Sequence, residues 1–258
     1  HHRTAAASLA VLARRAVAVA VTLLAGTPAL AGFAGTDLFL PMVGRQAGVY
    51  PSNWYTTVWI HNPGAQDATA RVHFLERNTA NYSPPAIDVV GAAGATERIE
   101  NVVESLFLLR GFGALRVTCD TERLVVTSRV FTRATDEGEA ESLGQDFAAV
   151  PAAFAIGLGE RGQILGGHQT VPAGESQFRL NFGFVETTGR TATVRVTVYD
   201  ENGMYRAAKD FQVRESSQRQ VAFKDHFPDL AGENLRLEVE VVAGAGKVIA
   251  YGSLIANG

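Results

Sequence analysis

Cysteine is nearly missing from this chain, whose 258 residues include only Cys119. A single cysteine cannot form an intrachain disulfide, and the paired-cysteine spacing of a zinc site is absent. Cys119 alternates with Leu115 and Val117 on one face of a predicted strand. We expect a buried structural thiol there, because reactive thiols need a polar and accessible setting. Packing must therefore supply the stability.

A basic surface is lacking as well. The formal net charge is −3, and the residues after Ala31 include 20 basic and 26 acidic side chains. A nucleic-acid-binding protein needs a basic face that neutralises phosphates. We therefore expect no nucleic acid among the partners of this protein.

Familiar catalytic and metal-binding motifs are missing too. The segment 174–178 has the serine but not the second glycine of a nucleophile elbow, and no H-E-x-x-H is present. The acidic segment 136–141 lacks the spacing of a calcium loop. His61 and His73 are predicted on the same side of adjacent strands, without a third metal ligand nearby. We assign no catalytic residue, no metal and no cofactor.

The amino terminus resembles a targeting segment. Arg14 and Arg15 precede the apolar run 16–25, and the segment 29–31 (Ala-Leu-Ala) has the small-x-small pattern of a signal-peptidase site. We predict a signal peptide over 1–31 and a secreted mature chain in the periplasm, on the cell surface or outside the cell. Ordinary secretion is favoured over Tat export. The alternative is an uncleaved signal segment, the one membrane contact that we expect.

What the chain does contain is a repeated alternation of apolar and polar residues. One face of the first segment comprises Trp54, Thr56, Val58 and Ile60, and a shift of 124 positions converts it into Phe178, Leu180, Phe182 and Phe184. Ala68, Ala70, Val72 and Phe74 become Ala192, Val194, Val196 and Val198 at the same shift. Strict alternation indicates strands with one face in a core. Its recurrence in phase indicates a duplicated module.

The duplication predicts two modules, at 32–146 and 147–258, joined by an exposed linker over 134–144. The segments on either side of the turn 62–64 are expected to form a hairpin, as are the last two strands of each module. Pro41 indicates an edge strand. Asn101 and Glu104 are expected to form a capping box at a short helix. The segment 147–154 is expected to pack across the junction of the modules.

Many short, evenly spaced strands favour an all-β fold of two tandem antiparallel Ig-like β-sandwich modules, with a jelly-roll strand order left open. The segments 54–64, 113–118 and 125–129 resemble those of uncharacterised secreted bacterial proteins built from tandem Ig-like modules. The resemblance covers nearly all of the mature chain. It implies a non-enzymatic secreted or surface protein and identifies no catalytic residue.

One group of surface residues is a candidate ligand-binding site. Tyr55 and Trp59 are predicted on the face opposite the core, with Arg71 on the neighbouring strand and Tyr82 in the loop 78–85. Exposed aromatic rings stack on sugars or anchor protein partners. The alternative is that Trp59 packs under that loop or at the module junction, since large apolar residues are usually covered.

Three functions are compatible with these features. The first is a secreted or cell-surface, non-enzymatic protein with a structural, adhesive or partner-binding role, whose partner is a polysaccharide or another surface protein. The second is a carbohydrate-binding module that uses exposed aromatic side chains, which an exposed Trp59 would favour. The third is a secreted hydrolase, which a deep polar cleft at the module junction would favour.

Overall fold

Short antiparallel strands account for most of the residues that the structure describes, as the alternating pattern predicts. The computed structural model describes residues 32–48, 53–133, 143–170 and 178–256. The predicted signal peptide, the acidic segment 136–141 and most of the predicted linker lie outside the described residues. No helix in the described ranges is long and apolar enough to cross a bilayer.

The first half of the described chain contains nine strands and one short helix. The strands are β1 (Ala34–Gly35), β2 (Asp37–Ala47), β3 (Asn53–His61), β4 (Ala68–Glu76), β5 (Ala86–Gly91), β6 (Thr96–Ile99), β7 (Gly111–Thr118), β8 (Leu124–Arg133) and β9 (Leu143–Ala148). Helix α1 (Val102–Phe107) connects β6 to β7.

The second half contains eight strands and another short helix. The strands are β10 (Val150–Pro151), β11 (Arg161–Gln169), β12 (Phe178–Glu186), β13 (Ala192–Tyr199), β14 (Tyr205–Val213), β15 (Gln218–Ala222), β16 (Gly232–Gly244) and β17 (Val248–Ala256). Helix α2 (Phe223–His226) follows β15, and a 3-10 turn (Ala152–Phe154) follows β10.

The strands of the first half form two layers linked through β2. In one layer β8 pairs with β1, β3 and β9, and β3 also pairs with β6. In the other layer the order is β2-β7-β4-β5. The end of β2 also pairs with the start of β3, at Gln46 and Trp54. The predicted boundary between 146 and 147 falls within β9, and that boundary stays a prediction.

The second half has two sheets. One has the order β15-β12-β17 and the other the order β11-β16-β13-β14. In each half the apolar faces of the two layers meet in a buried cluster. The first cluster includes Leu40, Val58, Val72 and Leu115, and the second includes Phe182, Phe184, Val196 and Leu237. Cys119 lies in the first cluster and is 3% exposed, which confirms that it is a buried core residue.

The predicted hairpins between consecutive strands are wrong. β3 pairs with β2, β6 and β8, whereas β4 pairs with β5 and β7. Likewise β7 and β8 belong to different layers, as do β16 and β17. Alternation identifies a strand and its buried face, but it does not identify the hydrogen-bonding partner. In these cases the connecting turn crosses from one layer to the other.

These pairings also differ from the predicted immunoglobulin order. In an immunoglobulin sandwich the last two strands are neighbours in one sheet. Here the two strands of each predicted final hairpin lie in different layers: β8 pairs with β3 and not with β7, and β17 pairs with β12 and not with β16. The all-β antiparallel class is therefore correct, while the strand order is not that of an immunoglobulin domain.

Two local predictions also need correction. Pro41 lies at a register shift of β2, between Leu40 and Val43, where a residue without an N–H interrupts the ladder at no cost. Asn101 precedes α1 in a left-handed conformation (φ 48°), and its side chain caps no backbone N–H. Its amide instead donates to Glu104 Oε2 at 2.7 Å. The capping box is absent because an N-cap needs an extended backbone.

Candidate functional site

The two predicted aromatic residues lie on the same face of β3, and each is half-buried. The guanidinium carbon of Arg45 is 4.5 Å from the ring centroid of Tyr55, and that of Arg98 is 5.9 Å from the ring of Trp59. Tyr55 also stacks on Phe131, with ring centroids 5.8 Å apart. Arginine side chains therefore contact both rings.

The structure does not bring Arg71 beside these rings. Arg71 lies on β4 in the opposite layer, where its side chain points outward and bonds Asp88 of β5 at 3.2 Å. Tyr82 lies in the connection between β4 and β5 and is 81% exposed. The predicted group of four is thus divided between β3, β4 and a loop. The prediction that Arg71 neighbours the aromatic strand is wrong, because β3 and β4 do not pair.

The two histidines considered as metal ligands are separated in the same way. His61 Nδ1 lies 3.0 Å from both Ala95 O and Thr96 Oγ1. His73 is on the opposite layer, and partial burial, followed by the charge of Arg116, lowers the pKa of its imidazole. Within the ranges that the structure describes, no three His, Cys, Asp or Glu side chains are grouped as a metal site.

The two halves meet across an apolar contact. Residues on the outer face of the β2-β7-β4 layer pack against residues of β12, β17 and the segment after β10. The buried members are Phe39, Leu75, Ala114, Ala155, Val185 and Ile249. Val150 and Ala152 pack against the same cluster, which confirms that the segment 147–154 packs across the junction. The junction is filled by side chains where these residues meet.

A second cluster at the junction carries buried polar groups. Tyr251 of β17 packs with Met42, Val130 and Phe147 of the first half. Gln218 Nε2 donates a hydrogen bond to the hydroxyl oxygen of Tyr251, and both groups lie 3.9 Å from Met42 Sδ. Burial raises the pKa of the Tyr251 phenol well above its ordinary value. This phenol is therefore neutral at ordinary pH and acts as a packed, hydrogen-bonded side chain.

The loop after β4 ties the halves together through the backbone. Asn78 N donates to Gln218 O at 2.8 Å, and Asn81 N donates to Glu215 O at 2.9 Å. The Asn81 amide also donates to Ser216 O at 2.9 Å. The loop 78–85 is thus an arm of the first half, and its hydrogen bonds bind it to the segment 215–218 of the second half.

Beside this arm lies a cavity of about 450 Å³. We call it the basic cavity, because its lining includes Arg214, Arg219 and His226 together with the amides of Asn78, Gln212 and Gln220. Strands β14 and β15, which provide Gln212, Arg219 and Gln220, are edge strands of the two sheets of the second half. The cavity therefore lies where two sheet edges, α2 and the arm of the first half come together.

Sequence inspection missed the basic cavity. The one available signal was the spacing of Arg214, Arg219 and His226 within 13 residues. That spacing does not show that these groups line one space, because Gln212 and Asn78 reach it only through strand pairing and the contact between halves. A cavity built from two edges and a distant loop leaves no local pattern.

Comparisons with known proteins give little support for any family. No family model and no curated protein matches this chain. The crystal structure of Thermotoga maritima 1070 aligns with a TM-score of 0.34 and 13% identity, over 47% of this chain and 97% of that chain. The crystal structure of the PBSX exported protein XepA aligns with a TM-score of 0.27 and 11% identity, over 88% of this chain and 85% of that chain. The crystal structure of the coconut allergen cocosin aligns with a TM-score of 0.22 and 8% identity, over 87% of this chain and 77% of that chain. At these scores the similarities support no statement about this chain.

Proposed function

We propose that this protein is a secreted or cell-surface, non-enzymatic protein with a structural, adhesive or partner-binding role, built from two β-sandwich modules related by duplication. The observation that carries the proposal is the filled junction. Apolar side chains and backbone hydrogen bonds join the two sandwiches, and the described lining of the basic cavity beside that contact includes no Asp or Glu that could act as the acid or base of a glycoside hydrolase. These contacts fix the outer surfaces of the two halves relative to each other.

Matching strand pairings support the duplication. β3 pairs with β6 and β8 as β12 pairs with β15 and β17, and β4 pairs with β5 and β7 as β13 pairs with β14 and β16. The strands that precede β3 and β12 also correspond, because β2 pairs with β7 as β11 pairs with β16. A short helix follows the same strand in each half. We propose a jelly-roll strand order for both modules, the alternative that alternation left open.

The registers of the ladders agree as well. Val58 lies opposite Ile99, and 124 positions later Phe182 lies opposite Val221. Arg71 pairs with Asp88 at 3.2 Å, and Arg195 pairs with Asp210 at 2.7 Å on the matching strands. One ion pair therefore recurs at the same place on the outer face of each half.

A buried polar residue recurs at the end of β3 and of β12. Asn62 directly follows β3, its backbone N–H donates to Ala95 O at 3.0 Å, and its amide donates to Gly91 O. Glu186 ends β12, its N–H donates to Ser217 O at 3.0 Å, and its carboxylate accepts from Gly189 N and Ser216 N at 2.8 Å. Each side chain joins the turn that follows its strand to the connection between two later strands. This shared hydrogen-bonding arrangement supports the proposal that the two halves descend from one ancestral module.

Secretion is tested by expressing the chain behind an initiating methionine, with a carboxyl-terminal tag, and fractionating the cells. We expect the tagged protein outside the cytoplasm, with an amino terminus near Gly32 by mass spectrometry. Full-length protein confined to the cytoplasm would contradict the proposal. Replacing Arg14 and Arg15 by glutamine provides a matched variant, which should export less because the basic region of the signal is lost.

The carbohydrate-binding alternative rests on the exposure of Tyr82. Stacking on a sugar needs an open ring face, and Tyr82 is mostly exposed whereas Tyr55 and Trp59 are half-buried. A pull-down on insoluble polysaccharides should therefore compare Tyr82→Ala with Trp59→Ala. Binding that is lost with Tyr82→Ala would favour the alternative. Retention by no polysaccharide would leave the structural or protein-binding role for the sugars tested.

A further inference from the structure

The lining of the basic cavity has one sign of charge. Arg214 and Arg219 contribute the charge, beside the imidazole of His226, and no acidic side chain is among the described lining residues. Neither arginine has an ion pair within the described chain, whereas Arg195 on the neighbouring sheet is held by Asp210 at 2.7 Å. The cavity is therefore positive on a protein whose net charge is −3. A concave surface of this kind concentrates anions.

The structure holds one of these cations in place. Arg219 is half-buried on β15, its Nη1 donates to Gln212 O, and its guanidinium carbon lies 5.3 Å from the ring centroid of Phe211. These contacts use part of a group that has five N–H donors, so others remain to meet a ligand. A guanidinium fixed in this way loses little conformational entropy when it binds a carboxylate.

Buried polar atoms in the lining lack partners. Gln220 Oε1 and His226 Nδ1 are both shielded from solvent, and neither has a hydrogen-bond partner within the described residues. Burial, followed by the charges of Lys209 and Arg219, lowers the pKa of His226, and Asp225 opposes this weakly. Unpaired polar atoms of this kind are costly, but these two atoms are shielded and do not face the open space of the cavity. The side chains of Asn78, Gln212 and Ser217, which also line the cavity, can both donate and accept hydrogen bonds.

The lining matches a ligand that has a carboxylate and several hydroxyls. Guanidinium groups bind carboxylates with paired, charge-assisted hydrogen bonds, while the amides of Asn78, Gln212 and Gln220 can both donate to and accept from hydroxyls. A volume of about 450 Å³ is within the range of small-molecule sites. We propose that the basic cavity binds a sugar acid, with its carboxylate on Arg214 and Arg219 and its hydroxyls on the surrounding amides. This site is distinct from the Tyr55 face and goes beyond the role proposed above.

Calorimetric titration of the purified chain with glucuronate, at constant ionic strength, tests the site. We expect saturable binding of glucuronate and no binding of glucose, which has the same ring and no carboxylate. Arg219→Ala and Arg214→Ala should each weaken glucuronate binding about tenfold or more, because each removes a charge-assisted hydrogen bond. Arg214 is exposed, so its replacement keeps the test valid if Arg219→Ala disturbs the fold.

Arg195→Ala is the matched control. It removes the same charge from the second half, at an outward position that is paired with Asp210 and is not among the lining residues. Its affinity for glucuronate should equal that of the unaltered chain. Absence of glucuronate binding, equal binding of glucose, or a loss no greater with Arg214→Ala than with Arg195→Ala would each overturn the proposal.

Oligogalacturonate distinguishes a free sugar acid from a unit of an acidic polysaccharide. Tighter binding of the oligomer, weakened by the same two arginine replacements, would support the proposal with a polysaccharide as the source. Binding of the monomer alone would support it with a free sugar acid as the ligand. Oligomer binding that does not respond to either replacement would overturn the assignment of this cavity.

Discussion

The two halves share a frame of strand pairings but differ at matching sheet edges. Glu97 on β6 lies opposite Ile60, and Arg219 on β15 lies opposite Phe184 at the corresponding ladder position. Val90 on β5 and Gln212 on β14 also correspond, opposite Thr69 and Thr193. The second edge thus has a cation and an amide where the first has a carboxylate and a valine. The same backbone can therefore support opposite surface chemistry.

The arm between β4 and β5 makes the second difference between the halves. In the first half the connection from 77 to 85 reaches the segment 215–218, while in the second the strands are joined by a tight turn from 200 to 204. Among the described residues, such an arm therefore contacts the edge of the second half and not that of the first. Loop length, which strand pairing does not constrain, decides which edge becomes part of an enclosed space.

Removing the buried carboxylate at the end of β12 should have one of the two largest effects on stability. Glu186→Ala leaves the N–H groups of Gly189 and Ser216 without their acceptor, and we expect a loss of about 3 kcal/mol in the free energy of unfolding. The matching Asn62→Ala should cost about 2 kcal/mol, because its amide is uncharged. Urea unfolding measures both. A loss for Glu186→Ala below that for Asn62→Ala would contradict the comparison.

The junction should resemble a core in its response to truncation. Leu75→Ala opens a cavity between the halves, and we expect a loss of about 3 kcal/mol in unfolding free energy, as for leucine in a packed core. Leu115→Ala, inside the first sandwich, is the matched control and should cost a similar amount. If Leu75→Ala cost less than about 1 kcal/mol in urea unfolding, the contact between the halves would be loosely packed.

Exchanging charges between the two edges sharpens the comparison further. Arg219→Glu places the first-half residue at the second edge, and it should weaken glucuronate binding about tenfold or more. Glu97→Arg makes the reverse change and should leave glucuronate affinity unaltered, because that edge lacks the other groups of the basic cavity. Calorimetric titration measures both. New binding in Glu97→Arg would show that charge alone is sufficient.

The smallest expected effect is on the pH dependence of stability, and it comes from a carboxylate of the first half. Glu104 in α1 accepts hydrogen bonds from Arg45, Asn101 and Arg110, which lower its pKa from the ordinary 4.5 to about 2. A lowered pKa in the folded state stabilises the protein above pH 4.5, and this contribution is lost as the pH falls from 4.5 to about 2. Glu104→Gln should therefore be less stable than the unaltered chain at pH 7.

Urea unfolding at pH 7 and near pH 2 tests the contribution of Glu104. The difference between the unaltered chain and Glu104→Gln should narrow at the lower pH, since the carboxyl group is then partly protonated in the folded state. Asp225→Asn, on the exposed side of α2 in the other half, is a control with the same loss of charge. A difference that is constant with pH would show that the hydrogen bonds of Glu104 do not depend on its charge.

Part of this fold was predictable because it is local. Residues 54–61 and 68–76 alternate strictly, and they became β3 and β4 within one residue of the predicted bounds. Arg71 and Arg195 occupied matching positions in the sequence, and both are paired with an aspartate on the neighbouring strand. Successive side chains of a strand point to opposite faces, so burial of one face produces a pattern of period two that is visible in the sequence.

The candidate site was less predictable because it depends on partners. The sequence predicts Tyr55 and Arg71 as neighbours if β3 and β4 pair, whereas the structure separates these strands into two layers. The rings of Tyr55 and Trp59 are partly covered by Arg45 and Arg98, which lie 10 and 39 positions away. No periodic pattern in a strand indicates which distant side chain covers it.

The amino-acid sequence by itself determined where many strands form, which face of each lies in a sandwich core and that the pattern occurs twice, because these properties arise from side chains spaced two residues apart. The second faces of β2 and β12 are also buried, and contacts outside the two cores bury them. Tertiary structure alone decided which strands are neighbours, how the arm 78–85 reaches the second half, and that Arg214, Arg219 and His226 line one cavity. Those properties depend on contacts between residues far apart in the chain. Such contacts form when whole faces pack together, so no short segment encodes them.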